Sequence, residues 1–348
     1  MIAAPRWPSH RQSDNTAANG LNAGLAVLYQ GWDTSPRPAT MEPPARRTER
    51  QRPGMDDEAP AWFEAALDHR PERHETEVAG ATISYRCWGR GGRPAIVLVH
   101  GGAAHAGWWD HIAPMIPREY RVIALDLSGH GDSDRREDYS LSTWAAEVIG
   151  VIDHAKVASP PIIIGHSMGG WVTITTAAQY PDRVAGIVVV DSPVQEFTPE
   201  ERAARDRTAF GPLRVYPTAT DALARFRAVP EQPYVLPFII DHVARGSIGS
   251  VQGGWTWKFD PKVFGNRTPS PEVLRKVHCR VALFRAEKGL LTPDIGVQMY
   301  NLLGRVAPVI EIPLAGHHVM LDQPLLLVTG IRTILADWEH SSPQERVD

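Results

Sequence analysis

The sequence predicts an α/β domain built on a mostly parallel sheet and interrupted by one insertion. Three observations carry this reading. Short apolar runs alternate with stretches of helical spacing. Each run is apolar throughout rather than at every second residue, as a strand covered on both faces must be. One run, Pro161 to Ile164, leads into Gly165-His166-Ser167-Met168-Gly169, and a helix-compatible run follows. That is the context in which glycine–x–serine–x–glycine makes a tight strand-to-helix turn with an outward-facing serine.

In chain order, residues 1–54 are rich in Pro, Arg, Ser, Thr, Asn and Gly and lack periodicity. Such composition seldom forms a core, so a disordered extension is expected, with Met55 as a natural start. The stretch lacks the basic start, apolar centre and small-residue cleavage site of a secretory signal. A short helix is expected over 61–67, then two strands within 75–88 that meet at Val78-Ala79-Gly80-Ala81. Residues 94–99 form a buried strand, 108–116 a helix and 120–125 another strand. Residues 141–154 have helical spacing, with Leu141, Trp144, Ala145, Val148, Ile149 and Ile152 on one face. The serine turn and a helix to Gln179 come next, then a strand over 185–190 that ends at Asp191.

The alternation stops there. Residues 192–272 hold helix-like pieces at 199–208 and 221–228, then an aromatic stretch with Trp255, Trp257, Phe259 and Phe264. The rhythm resumes with a strand over 281–285, a helix over 295–303, a strand over 309–312, a loop at 315–318 and a last helix over 324–338. The domain division is therefore a core of 55–191 and 273–340, a mainly helical cap at 192–272, and a polar tail at 341–348.

With 348 residues, 43% of them hydrophobic, the chain can bury one large core. A net charge of −4 gives no sign of a nucleic-acid partner. Two cysteines, Cys87 and Cys279, are too few for a disulfide framework and stand in no metal-like cluster. Reduced thiols and a cytoplasmic location are expected. No apolar run approaches the ~20 residues of a membrane span.

A serine hydroxyl needs a base, a group to orient that base, and donors for the oxyanion. His317 is the candidate base: it follows a glycine after the last strand and precedes the C-terminal helix. Four motifs now stand in order: His100-Gly101-Gly102 after a strand, Asp126-x-x-Gly129-x-Gly131-x-Ser133, the Ser167 turn, and Gly316-His317 followed by Leu321-Asp322-Gln323-Pro324. Over roughly residues 75–340 the sequence resembles the α/β-hydrolase superfamily, in its serine-nucleophile, esterase-like branch with a cap.

The resemblance implies the α/β-hydrolase fold, with Ser167 as nucleophile and His317 as general base. It implies an oxyanion hole from the amides of Gly102 and Met168. His318 is the neighbouring rival to His317. His100, His105 and His166 are read as shaping residues, and residues 126–133 as a structural turn rather than a metal site. The acid stays open. Much of the superfamily carries it after the strand that here is 281–285, but this chain has Ala286-Glu287-Lys288-Gly289 there, with glycine where aspartate is expected. Asp191, a position some branches use, is preferred. Glu287 and the more distant Asp294 are the alternatives.

The expected function is cleavage of a small-molecule carboxylic ester through an acyl-enzyme, with no metal and no cofactor. A thioester, an amide or the carbon–carbon bond of a ring-fission product would use the same parts. Serine at the turn speaks against the aspartate-dependent epoxide hydrolases and haloalkane dehalogenases. A ligand-binding protein on the same scaffold is the rival from another class. The tryptophans at 108, 109, 171, 255 and 257 either line an acyl pocket or pack the core.

Overall fold

Strand character is strongest where the apolar runs are unbroken, and those runs form the centre of the sheet. The computed structural model describes residues 58–196, 198, 200, 213–264 and 269–341. The expected disordered segment 1–54, the helix over 199–208 and nearly all of the tail 341–348 lie outside the described residues or are only touched by them.

Ten strands are found among the described residues. They are β1 (Glu72–Val78), β2 (Ala81–Trp88), β3 (Ala95–Val99), β4 (Arg121–Leu125), β5 (Ile162–His166), β6 (Gly186–Val190), β7 (Ile248–Val251), β8 (Gly254–Trp257), β9 (Arg280–Lys288) and β10 (Val309–Gly316). Eight of them make one sheet in the order β1-β2-β4-β3-β5-β6-β9-β10. All pairs from β4 to β10 are parallel, and β2 is antiparallel to both β1 and β4. Every residue of β3 and of β6 is buried, which is why these runs show no alternation. β1 is the opposite case: a charged, half-exposed edge strand, a composition that discourages pairing with another chain. The β1–β2 turn has positive φ at Ala79 (48°) and Gly80 (75°), the geometry a two-residue hairpin needs.

Helices cover both faces. On one side, α2 (Leu141–His154) and α3 (Met168–Gln179) pack Trp144, Val148, Ile152, Val172 and Ile174 against the sheet. On the other, α1 (Ala61–Asp68) supplies Phe63, and the C-terminal helix Pro324–His340 supplies Leu327, Ile331 and Leu335. From β3 the chain crosses to β4 on one side and later to β5 on the other. The C-terminal ends of β3 and β5 therefore flank a crevice, the usual place for a ligand in such sheets.

Three local expectations are corrected. Residues 108–116 are not one helix but two 3₁₀ turns, Ala106–Trp109 and Ala113–Met115. The amides of Trp108, Asp110, Ile112, Met115 and Ile116 each donate to the carbonyl three residues back, the 3₁₀ pattern, and Pro114 lacks an amide hydrogen. The helix expected over 221–228 is the short α4 (Ala219–Leu223), capped by Thr218. It stops ahead of Pro230, whose ring disfavours helical geometry in the residue before it. β9 and β10 run further than expected, so Glu287 lies within a strand rather than in a loop.

The segment between β6 and β9 contains α4, α5 (Pro237–Gly246) and a hairpin, β7–β8, made by the aromatic stretch. Tyr216, Ala222, Ile248, Trp257 and Phe259 form its own small core. It is tied down at several points. Asp260 donates its amide to Gly129 O and accepts from Tyr139 Oη, His105 Nε2 meets Ser247 Oγ at 3.1 Å, and Leu236 N donates to Leu321 O. The loop 126–133 is a turn braced by its own aspartate. The Asp126 carboxylate accepts from Asp132 N, and a side chain at Gly131 would strike it. α6 (Pro293–Leu302), the one-turn α7 (Val319–Asp322) and α8 (Pro324–His340) complete the order. Among the described residues no helix is long and apolar enough to cross a membrane. Cys87 and Cys279 are not joined in a disulfide.

Candidate active site

Ser167 stands between the end of β5 and the start of α3. Its backbone has φ 54° and ψ −122°, a region that non-glycine residues rarely occupy. The flanking glycines make this possible. A Cβ at Gly165 would lie 2.2 Å from Gly169 O, and one at Gly169 would lie 2.4 Å from the carbonyls of Val99 and His100. The spacing in the sequence is thus a steric requirement of the fold. Ala103 (φ 56°) and Asp191 (φ 44°) adopt left-handed geometry at neighbouring strand ends. Strained backbone clusters around the same crevice, as it does at functional sites.

His317 follows β10 and is 3% exposed. Its Nε2 lies 2.9 Å from Ser167 Oγ, and its Nδ1 lies 2.7 Å from Asp191 Oδ2. Asp191 is fully buried, and its oxygens also accept from the amides of Ala286, Leu290 and Leu291. Four N–H groups therefore converge on one carboxylate. Acting as acceptor at each, it fixes the proton of His317 on Nδ1 and leaves Nε2 free to accept from the serine hydroxyl.

Gly289 stands against the Asp191 carboxylate. A Cβ there would sit 2.3 Å from Asp191 Oδ2. With the Asp191 carboxylate in this place, a side chain at position 289 would force it to shift. Glu287 points elsewhere and accepts from Leu314 N at 2.6 Å, while Asp294 is exposed in the first turn of α6.

The support around His317 comes from two sides. His166 Nε2 donates to His317 O at 2.9 Å, and Asp322 Oδ2 accepts from Gly316 N at 2.6 Å. Burial pushes the Asp322 carboxyl up to about 6 and the His166 imidazole down to about 3. His100 accepts from Leu127 N, and burial is again the main force lowering its affinity for a proton. His105, lowered to about 4 by burial, bridges to the insertion. These histidines hold loops together, and their rings stay neutral.

Gly102 and Met168 lie together. A Cβ at Gly102 would be 3.8 Å from Met168 Sδ, and both residues border the pocket that contains Ser167. Met168 is the first residue of α3, so its amide has no acceptor within the helix and lies at the positive end of the helix dipole. The pocket measures about 1000 Å³ out to open solvent, and its walls are mainly apolar. Trp108, Trp171, Phe226, Trp257, Phe259 and Phe264 supply aromatic surface. Trp109 is fully buried and belongs to the core. Phe226 and Val229 were not singled out by the sequence, because no local pattern marks a loop residue that reaches back across a pocket.

His166, His317 and His318 bring ring nitrogens within 4.8 Å of one another, a set that could hold a metal ion. Two of the three are already engaged: His317 by Asp191 and Ser167, and His166 by a backbone carbonyl.

Comparison with known proteins places the fold in a family. Residues 94–230 match the family model for the alpha/beta hydrolase fold. The chain is 30% identical over 288 residues to a serine hydrolase-like protein of Danio rerio, spanning 74% of this chain and 85% of the relative. It is 27% identical over 274 residues to an esterase of Mycobacterium tuberculosis, covering 75% of this chain and 88% of the relative. The solved structure of that esterase superposes with a TM-score of 0.62 at 22% identity, over 81% of this chain and 99% of the other. E-2-(acetamidomethylene)succinate hydrolase superposes with a TM-score of 0.66 at 22% identity, over 76% and 99%. The chain belongs to the α/β-hydrolase family, and its relatives include esterases and other hydrolases.

Proposed function

We propose that this chain is a serine hydrolase that cleaves a small-molecule carboxylic ester through an acyl-enzyme. The observation that carries the reading is the unbroken hydrogen-bonded line from Ser167 Oγ through the His317 imidazole to Asp191. Ser167 Oγ attacks the ester carbonyl while His317 Nε2 takes its proton. The oxyanion that forms is held by the amides of Gly102 and Met168. The imidazolium, steadied by Asp191, gives its proton to the leaving alkoxide, and the C–O bond breaks. Water then attacks the acyl-enzyme with the roles reversed, releasing the acid and restoring Ser167.

In this reading the 192–272 segment is a cap. Its Phe226, Trp257, Phe259 and Phe264 supply one wall of the pocket, and Trp108, Ser167 and Trp171 supply the other. An apolar wall favours a hydrocarbon acyl group, since its burial gains about 0.8 kcal/mol per methylene.

A panel of p-nitrophenyl esters tests the reading. kcat/KM is expected to rise from acetate to a maximum between butyrate and octanoate, then to fall. No turnover of any ester above the rate of the Ser167→Ala variant would sink it. Preferential turnover of an acyl thioester or a ring-fission dienoate in the same assay would move the substrate class but keep the mechanism.

A further inference from the structure

The reaction needs His317 Nε2 held against Ser167 Oγ, because a catalytic group misplaced by about 1 Å loses on the order of a hundredfold in rate. Asp191 fixes the far side of the imidazole, but the ring is only as well placed as the backbone that carries it. That backbone is irregular. The register of β10 on β9 shifts between Ile312 and Gly316, and His318, which precedes the one-turn α7, makes no side-chain cap. Three side chains from elsewhere restrain it instead. Asp322 Oδ2 accepts from Gly316 N, His166 Nε2 donates to His317 O, and Gln232 Oε1 accepts from His318 N at 2.9 Å. The main chain is thus held ahead of His317 by Asp322 and behind it by His166 and Gln232.

Asp322 and His166 belong to α7 and β5, elements of the core. Gln232 belongs to the segment between β6 and β9. Its amide is oriented locally. Nε2 donates to Tyr234 O at 3.2 Å, which leaves Oε1 toward His318 N, whereas a flipped amide would set N–H against N–H. A second link follows four residues on, where Leu236 N donates to Leu321 O at 2.8 Å. Val235 and Leu236 also pack on the cluster that contains Leu321. Residues 232–236 therefore run as a strap along the histidine loop and α7. A Cβ at Gly316 would lie 2.8 Å from Gln232 Oε1 and 3.2 Å from Asp322 Oδ2, so both acceptors use the space that this glycine leaves. His318 is buried, and without Gln232 its amide would lose its acceptor.

Resting on the hydrolase reading of Ser167 and His317, we infer that Gln232 is a positioning residue that ties the alignment of the general base to the seating of the 192–272 segment. It touches neither substrate nor reacting atoms. It acts through the His318 amide, and His317 stays in register with Ser167 only while the strap is docked.

The test is the rate at which a small fluorophosphonate labels Ser167, a step that needs the base. Gln232→Met keeps the length of the side chain and removes the acceptor, and it should label about ten- to hundredfold more slowly than wild type. Gln232→Glu keeps an oxygen for His318 N and should label at least about fivefold faster than Gln232→Met. With a p-nitrophenyl ester, kcat of Gln232→Met should fall by the same factor while KM stays within about threefold. Hydrogen exchange on the wild-type chain needs no variant: the protection factors of the His318 and Leu236 amides should agree to within about tenfold, because the two open together. Labelling of Gln232→Met at the wild-type rate, equal slowing in Gln232→Met and Gln232→Glu, or a raised KM with unchanged kcat would each overturn the inference and leave the hydrolase reading standing. Exchange at Leu236 far ahead of His318 would do the same. No labelling of the wild-type chain would overturn both.

Discussion

Asp191→Asn is expected to lower kcat by about 10⁴-fold while the chain stays folded. The reason lies in the four donors around the carboxylate. Oδ2 accepts from both Leu290 N and His317 Nδ1, and Oδ1 accepts from Ala286 N and Leu291 N. An amide NH₂ placed on either side faces two N–H groups. If it faces His317, the imidazole is driven to the tautomer with its proton on Nε2, where it can no longer accept from Ser167. Glu287→Gln should change kcat less than twofold, because among the described residues that carboxylate accepts from Leu314 N at the surface and does not reach His317. Steady-state kinetics with thermal melts on both variants decide the matter. Near wild-type turnover in Asp191→Asn, with loss in Glu287→Gln, would overturn the assignment.

The second large effect is on stability. Burial holds six histidines below the ordinary value of 6.5: His105 and His111 at about 4, His166 at about 3, and His100, His130 and His318 in the same direction. Between pH 6.5 and about 4 the unfolded chain binds protons at His105, His111 and His166 and the folded chain does not, and His100, His130 and His318 act in the same direction. Stability is therefore full above pH 6.5 and is lost as the pH falls through that window. Each group contributes a slope of up to about 1.4 kcal/mol per pH unit. Asp322, raised to about 6, works the other way, gaining stability on acidification between 6 and 3.8. Six groups against one leave a net slope of at most about 7 kcal/mol per pH unit, set against a total stability of about 5–15 kcal/mol. Urea midpoints measured from pH 8 to 4 should be level above 7 and fall steeply below 6, with cooperative acid unfolding before pH 4. A stability that stays flat from pH 7 to pH 5 would contradict the neutral, buried state of these rings.

The parts of the molecule legible in the sequence are those fixed by short-range constraints. Strands β3 to β6 could be read because burial on both faces leaves an unbroken apolar run. The Ser167 turn could be read because steric crowding at Gly165 and Gly169 leaves one residue type possible. The proposed acid, Asp191, was harder to single out, since its surroundings depend on a contact between chain segments nearly a hundred residues apart. Gly289 looked like a departure from a pattern, whereas its missing side chain is what makes room for Asp191. The stretch 108–116 misled for another reason: its amides bond to carbonyls three residues back rather than four, which apolar spacing does not reveal. The 192–272 segment was read as mainly helical, although Val251-Gln252-Gly253-Gly254 carried a hairpin signal that joins β7 to β8.

The central claim is that Ser167 is a nucleophile activated by His317. A fluorophosphonate probe followed by peptide mass spectrometry tests it most directly. The account predicts one adduct per chain, on Ser167, with no labelling of Ser167→Ala and labelling of His317→Ala slowed by orders of magnitude. Failure to label the wild-type chain, or equal labelling of Ser167→Ala, would contradict it.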